Sequence, residues 1–258
     1  MNRSRSGMVM TASLLACVLG LAGCSDQAAQ PQAQDAELTV FAAASLAVPF
    51  TRLADDFEAA YPGTAVRLNL AGSADLAAQL LAGAPADVFA SADEASMAKV
   101  VDGGLTAGEP EDIATNTLTI AVPPGNPAGI TGFADLTVTG AQVVVCAVQV
   151  PCGAAAAKLE EAAGARLSPV SEETSVTGVM GKVVSGEADA GLVYVTDVRA
   201  AGDSVQEVPF PEAQQAVNRY PLVRLDGPAE AELAEAFVGF IRSAEGQAAL
   251  QEAGFGVP

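Results

Sequence analysis

Short apolar runs alternate with segments of helical periodicity from residue 37 onward. Three runs of five to seven residues predict strands, at Glu37–Ala43, Ala65–Leu70 and Asp87–Ser91, and the first of them is predicted to be buried. Apolar residues at helical spacing follow the first run, at Leu46, Phe50, Leu53 and Phe57. The turn signal Tyr61–Gly63 predicts the end of that helix. The pattern therefore predicts repeated strand–helix units.

Two more helices are predicted in this part of the chain. The first ends at Gly83, and its predicted inward face consists of Leu76, Leu80 and Leu81. The second has Asp93 as its candidate N-cap and ends at Gly103 and Gly104.

The rest of the chain repeats the alternation. Further strands are predicted at Thr117–Val122, Gln142–Val148, Ala190–Val195 and Arg219–Leu225. Further helices are predicted at Cys152–Gly164, Ser175–Glu187, Pro228–Ser243 and Glu245–Gln251. The inward face of the Ser175–Glu187 helix is predicted to hold Val176, Val179, Val183 and Val184. In the helix that follows the last strand, Pro228 suits the first helical position. Such alternation predicts parallel sheets flanked by helices.

Two segments rich in proline and glycine, near residues 106–129 and 209–221, are the natural places for the chain to cross between two lobes. The first lobe is predicted to comprise residues 37–117 and 217–258, and the second lobe residues 118–216. This length suits one two-lobed unit.

The N-terminus predicts export. Arg3 and Arg5 precede an apolar stretch over residues 7–22, which predicts a signal peptide over residues 1–23. Small residues precede Cys24, as in a bacterial lipoprotein signal, so we expect Cys24 to carry a lipid on the outer face of the cell membrane. An ordinary signal peptide with a chance cysteine is the alternative. Residues 24–36 hold no large hydrophobe and predict a flexible tether.

The composition excludes several function classes. The net charge is −19, and removal of residues 1–23 would leave 10 basic and 31 acidic residues, or −21. Nucleic-acid binding is therefore not expected. The chain has no histidine, which excludes Ser-His-Asp and Cys-His nucleophile systems and histidine metal sites. The chain also has no tryptophan, and the scarcity of stacking platforms argues against a sugar ligand.

Two cysteines remain after Cys17 and Cys24 are set aside. In an exported protein, Cys146 and Cys152 predict a disulfide. A redox-active pair is the alternative, but the spacing differs from the C-x-x-C of oxidoreductases.

Four segments turn from a strand end through small residues into a helix start. They contain Ser45, Ser73, Pro151–Gly153 and Thr174–Val176, and the two serines are candidate N-caps. A helix N-terminus carries unpaired N–H groups and about half a positive charge. Four that converge would offer roughly two positive charges to a dianion without any lysine or arginine. The alternative is that each serine is an ordinary cap.

Several stretches are similar to the periplasmic molybdate-binding protein family (ModA). They are TVFAAASL, GSADLAAQLLAGAPADVFASAD, NTLTIAVP, VPCGAAA, SVTGVMGKVVSGEADAGLVYVTD and GFGVP. The resemblance covers nearly all of the mature domain. It implies a type II periplasmic-binding-protein fold, with two α/β lobes joined by two hinge crossovers. It also implies a monomeric solute-binding protein, not an enzyme, that needs no cofactor and delivers molybdate or tungstate to the permease and ATPase subunits of an ABC transporter.

The resemblance also implies a ligand set. Ser45 and Ser73 would donate hydroxyl and backbone N–H groups, Cys152 and Val176 would donate backbone N–H groups, and Tyr194 would donate its phenolic O–H. Cys152 departs from the family, whose members can carry a smaller residue such as alanine there, but the contact is from the backbone. The alternative for Tyr194 is a core residue whose hydroxyl bonds backbone.

Other functions remain open at this point. The same fold could bind sulfate, thiosulfate or another small anion. An organic acid would usually need an arginine that makes two hydrogen bonds to its carboxylate, but Arg52, Arg67 and Arg166 lie outside the four turns. An enzyme with a nucleophile elbow is disfavoured because no G-x-S-x-G segment and no histidine base is present. A lipid-anchored module without a ligand is the third alternative.

Overall fold

A computed structural model describes residues 36–137, 140–227 and 230–258. The predicted signal peptide, Cys24 and Pro228 lie outside these residues, as does the predicted tether apart from Ala36. The strands are β1 Ala36–Ala43, β2 Thr64–Ala71, β3 Val88–Ala90, β4 Glu111–Asn116, β5 Leu118–Val122, β6 Val143–Cys146, β7 Ser171–Glu173, β8 Ala190–Tyr194, β9 Gln206–Val208 and β10 Asn218–Arg224. The α-helices are α1 Ala47–Ala60, α2 Ser73–Leu81, α3 Glu94–Asp102, α4 Pro151–Ala163, α5 Val176–Val184, α6 Val195–Ala201, α7 Ala231–Arg242 and α8 Ala244–Glu252.

The strands form two five-stranded sheets. The order in the first lobe is β2-β1-β3-β10-β4, and the order in the second lobe is β7-β6-β8-β5-β9. The chain passes from the first sheet to the second between Asn116 and Leu118, and it re-enters the first sheet at Asn218.

The predicted parallel pairing occurs between β1 and its neighbours β2 and β3 and between β6 and its neighbours β7 and β8, but both sheets are mixed. Strand β10 runs antiparallel to β3 and β4, and β5 runs antiparallel to β8 and β9. A parallel neighbour requires a crossover connection within one sheet. Strands β5 and β10 instead arrive directly from the other lobe, so no crossover helix imposes a parallel direction on them.

Apolar packing holds each lobe together. The predicted face of α1 is fully buried, at Leu46, Phe50, Leu53 and Phe57. The prediction that Leu81 and Val184 face inward was wrong, because Leu81 is 50% exposed and Val184 is 51% exposed. Leu80 and Val183, their neighbours, are buried. Consecutive helical residues point about 100° apart, so only one of each pair can face the sheet.

The sequence pattern missed three strands, and all three lie at sheet edges. They are β4, β7 and β9, each of which has a single neighbouring strand in its sheet. An edge strand tolerates polar residues because half of its surroundings are solvent. The short helix α6 was missed as well.

Within the segments that the structure describes, every helix is too short or too polar to cross a bilayer.

Candidate functional site

A small cavity lies between the two lobes, at the carboxyl ends of β1, β2 and β8. The space inside it that is open to the centre of a water molecule is about 20 Å³. The first lobe contributes Ala43, Ala44, Ser45, Gly72, Ser73 and Ala92. The second lobe contributes Val150, Pro151, Cys152, Thr174, Ser175, Val176 and Tyr194. All five predicted ligand residues therefore line one cavity, and every lining side chain is uncharged.

Helix starts surround this cavity. Ser73 is the first residue of α2, Val176 is the first of α5, and Cys152 is the second of α4. Ser45 lies in a 3-10 turn, Ala44–Leu46, that leads into α1. The first N–H groups of a helix have no carbonyl one turn earlier to bond. These groups give the cavity a positive potential without a cationic side chain.

The prediction that Ser45 and Ser73 are N-caps was wrong. Ala43 and Gly72 occupy the cap positions, and neither serine hydroxyl caps its own helix. The Ser45 hydroxyl lies 3.0 Å from the Tyr220 hydroxyl, and the Ser73 hydroxyl accepts a 2.9 Å hydrogen bond from the Ala92 N–H. Because both serines lie inside a turn rather than before it, neither hydroxyl is used to cap the helix that follows, and both residues line the cavity.

Tyr194 closes the cavity from the second lobe. Only 1% of its surface is exposed, and its ring packs edge-on against Tyr220 at 6.1 Å between centroids. Its hydroxyl accepts a 3.0 Å hydrogen bond from the Asn218 Nδ2. The alternative for Tyr194, a core residue, expected the hydroxyl to bond backbone instead of a side chain. Burial, with the nearby Tyr220, Asp197 and Asp93, raises the pKa of Tyr194. The phenol therefore stays protonated and can donate.

Cys146 and Cys152 form a disulfide. It joins the end of β6 to the first turn of α4 and closes the loop that positions the Cys152 N–H. Gly153 packs against the same loop, since a Cβ at Gly153 would lie 1.9 Å from the Ala147 carbonyl oxygen. The disulfide and the close packing of Gly153 therefore both restrain this loop.

The lobes touch beside the cavity. A Cβ on Gly72 would lie 2.3 Å from the Thr174 carbonyl oxygen of the second lobe. At the crossover, the Asn116 side chain donates a 2.8 Å hydrogen bond to the Thr196 hydroxyl. These two contacts join the first lobe to the second.

Comparison with known proteins decides the family. The model of the bacterial extracellular solute-binding protein family matches residues 38–256. This chain belongs to that family. The molybdate-binding protein ModA of Mycobacterium tuberculosis H37Rv is 46% identical over 250 residues, which cover 97% of this chain and 95% of the relative. The Escherichia coli K12 ModA is 29% identical over 233 residues, which cover 86% and 90%.

Solved structures agree on the fold of this solute-binding protein. The Azotobacter vinelandii periplasmic molybdate-binding protein matches with a TM-score of 0.74 at 25% identity, over 86% of this chain and 99% of that one. The Mycobacterium tuberculosis sulfate-binding protein SubI matches with a TM-score of 0.70 at 22% identity, over 85% and 86%. The predicted type II periplasmic-binding-protein fold is confirmed.

The cationic side chains considered as anion ligands lie elsewhere in this solute-binding protein. Arg52, Arg67 and Arg166 are more than half exposed and pair with carboxylates. Among the described residues, no cluster of three or more His, Cys, Asp or Glu side chains is arranged to hold a metal ion.

Sequence reasoning missed four polar residues behind the cavity, namely Asn116, Asp197, Asn218 and Tyr220. Asp197 is partly buried, and its carboxylate accepts a 2.9 Å hydrogen bond from the Tyr194 N–H. Burial raises the pKa of Asp197 to about 7. Nothing in the local sequence marks Asn116, Asn218 and Tyr220, because each has a side-chain partner that is distant along the chain. Asp197 is different, since its partner is only three residues away, in the first turn of α6.

Proposed function

We propose that this solute-binding protein captures molybdate, and tungstate as well, and delivers it to an ABC transporter. The observation that carries the proposal is a cavity between two lobes lined by uncharged hydrogen-bond donors. Relatives that bear the name molybdate-binding protein support the choice of ligand.

The donors match a dianion that carries no proton. Molybdate and tungstate offer only acceptor oxygens at neutral pH, so each oxygen can be satisfied by a donor of the cavity. Hydrogen phosphate would bring one O–H group with no acceptor to meet it. A buried donor without a partner costs about 1–3 kcal/mol. Sulfate carries no proton either, so its rejection has to come from the size of the cavity.

Five residues are proposed to hold the anion. Ser45 and Ser73 would donate hydroxyl and backbone N–H groups, Cys152 and Val176 would donate backbone N–H groups, and Tyr194 would donate its phenolic O–H. Their positions around one cavity support this assignment. The protonated state of Tyr194 supports its role as a donor.

Capture is proposed to proceed by closure of the lobes about the crossovers at residues 117 and 217. The loaded protein would then dock on separate permease and ATPase chains. We propose that the protein acts as a monomer, needs no cofactor, catalyses no reaction and is tethered outside the cell membrane by a lipid on Cys24.

Calorimetric titration with molybdate, tungstate, sulfate and phosphate in parallel tests the proposal. We expect tight binding of molybdate and tungstate and much weaker binding of the other two. Equal or tighter binding of sulfate would overturn the choice of ligand while leaving the fold intact. A lack of binding to all four would overturn the anion-binding function itself.

A further inference from the structure

The Asn218 side chain lies behind the cavity, at the point where the chain re-enters the first lobe. It is buried, and its Nδ2 makes two hydrogen bonds. One runs 2.8 Å to the Ala92 carbonyl oxygen, and the other runs 3.0 Å to the Tyr194 hydroxyl oxygen.

The contact with Ala92 fixes the orientation of this amide. A carbonyl oxygen can only accept, so the NH2 end of Asn218 must face it, not the oxygen end. The second proton of the same NH2 group then points at Tyr194, whose hydroxyl oxygen must accept it. The proton of the Tyr194 hydroxyl is thereby directed away from Asn218, and Tyr194 lines the cavity.

The same arrangement occurs at Ser73. Its hydroxyl accepts from the Ala92 N–H, a group that cannot accept, so the serine proton is also left for the cavity. The Ala92 backbone thus links the two hydroxyls, because its N–H donates to the Ser73 hydroxyl and its carbonyl oxygen accepts from the Asn218 amide.

We propose that Asn218 is a positioning residue that fixes the Tyr194 hydroxyl as a hydrogen-bond donor toward the bound oxyanion, an inference that rests on the proposed function. Without the amide, the Tyr194 hydroxyl can rotate and present its lone pairs to the anion. Asn218 therefore helps to keep the cavity a site of donors only, which favours anions that carry no proton.

A double-mutant cycle between Asn218→Ala and Tyr194→Phe tests this role by calorimetry with molybdate. We expect Tyr194→Phe to weaken binding by about tenfold or more, the loss of one hydrogen bond to a charged group. Asn218→Ala should also weaken binding, and the double variant should be no weaker than Tyr194→Phe alone. Additive losses in the double variant, or unchanged affinity in Asn218→Ala, would overturn the inference.

Asn126→Ala is the matched control. The Asn126 side chain also makes two hydrogen bonds, but both run to the backbone of Ile130 within one loop of the second lobe, and Asn126 does not line the cavity. We expect a loss of thermal stability from both variants. The molybdate affinity of Asn126→Ala should stay within about twofold of wild type. If both variants lose affinity equally, the role of Asn218 is only structural and the inference fails.

Asn218→Asp provides a readout that a structural role would not move. A carboxylate at this position would accept the Tyr194 proton and turn the tyrosine lone pairs toward the cavity. The ratio of molybdate to hydrogen phosphate affinity should then fall further than in Asn218→Ala, and an unchanged ratio counts against the inference. Asn218→Ser, a smaller donor, replaces Asn218→Ala in the cycle if the alanine variant does not fold.

The outcomes separate this inference from the proposed function. If wild type binds sulfate and not molybdate, the proposed function fails, and the same cycle with sulfate still supports or overturns the role of Asn218. If wild type binds none of the oxyanions, both proposals are overturned.

Discussion

The Thr174 carbonyl oxygen of the second lobe lies only 2.3 Å from the point where a Cβ on Gly72 of the first lobe would stand. The backbone of Gly72 has φ −61° and ψ 135°, a conformation that any residue adopts. The glycine is therefore required by the contact between the lobes and not by its own dihedral angles.

Gly72→Ala is expected to weaken molybdate binding, because the added methyl group must push Thr174 and the second lobe away. Overpacking of this kind costs about 1–3 kcal/mol, which corresponds to about 5- to 150-fold in affinity. Calorimetric titration measures the loss. Gly239→Ala is the control, since a Cβ at this position of α7 would have no atom within 4 Å apart from its own helix backbone and chain neighbours, and it should leave affinity unchanged. Wild-type affinity in Gly72→Ala would show that the lobes need not approach this closely to bind.

Ser45→Ala and Ser73→Ala are each expected to lower molybdate affinity by about 10- to 150-fold, because each removes a hydrogen bond of about 1.5–3 kcal/mol to a charged ligand. The measurement is calorimetric titration of the single and double variants. Ser243→Ala is the matched control, because that hydroxyl caps α8 and lies outside the cavity. It should cost about 1 kcal/mol of stability and leave the affinity unchanged. Survival of tight binding in the double serine variant would refute the assigned site.

Asp197 is expected to make stability depend on pH. Its pKa in the folded protein is about 7, because burial raises it from 3.8. Between about pH 4 and pH 7 the folded state therefore holds a proton that the unfolded state has lost. The contribution of Asp197 to the free energy of unfolding decreases as the pH rises through this range. It levels off above pH 7, where both states have lost the proton. Urea denaturation of wild type and Asp197→Asn from pH 5 to pH 8 measures the effect. The variant should gain stability relative to wild type as the pH rises. A constant difference across this range would mean that Asp197 does not titrate there.

Reduction of the disulfide is expected to lower both stability and affinity. The bond closes a loop from Cys146 to Cys152, and loss of a closed loop of this length costs about 2 kcal/mol. Affinity should fall as well, because the loop that presents the Cys152 N–H becomes mobile. Urea denaturation and titration with and without reductant measure the two effects. Cys146→Ser/Cys152→Ser should match the reduced protein and be insensitive to reductant.

Much of the fold could be predicted from local patterns. The buried face of α1 follows from the spacing of Phe50, Leu53 and Phe57, and the cap of α3 follows from Asp93, whose carboxylate accepts from the Ser96 N–H at 2.9 Å. These features arise from neighbours a few residues apart, so the sequence contains all of the relevant partners. The edge strands β4, β7 and β9 were missed because solvent on one side lets them be polar.

The sequence by itself determined the alternation of strands and helices, the export signal as a prediction, and the residue types that surround the cavity. The tertiary structure alone decided which polar groups stand behind that cavity. Asn218 hydrogen-bonds to Tyr194 and Ala92, and Tyr220 hydrogen-bonds to Ser45. These partners are separated by 24 to 175 positions in the sequence. Hydrogen bonds act over about 3 Å, and only the folding of the first sheet and the approach of the two lobes bring such distant donors and acceptors within that reach.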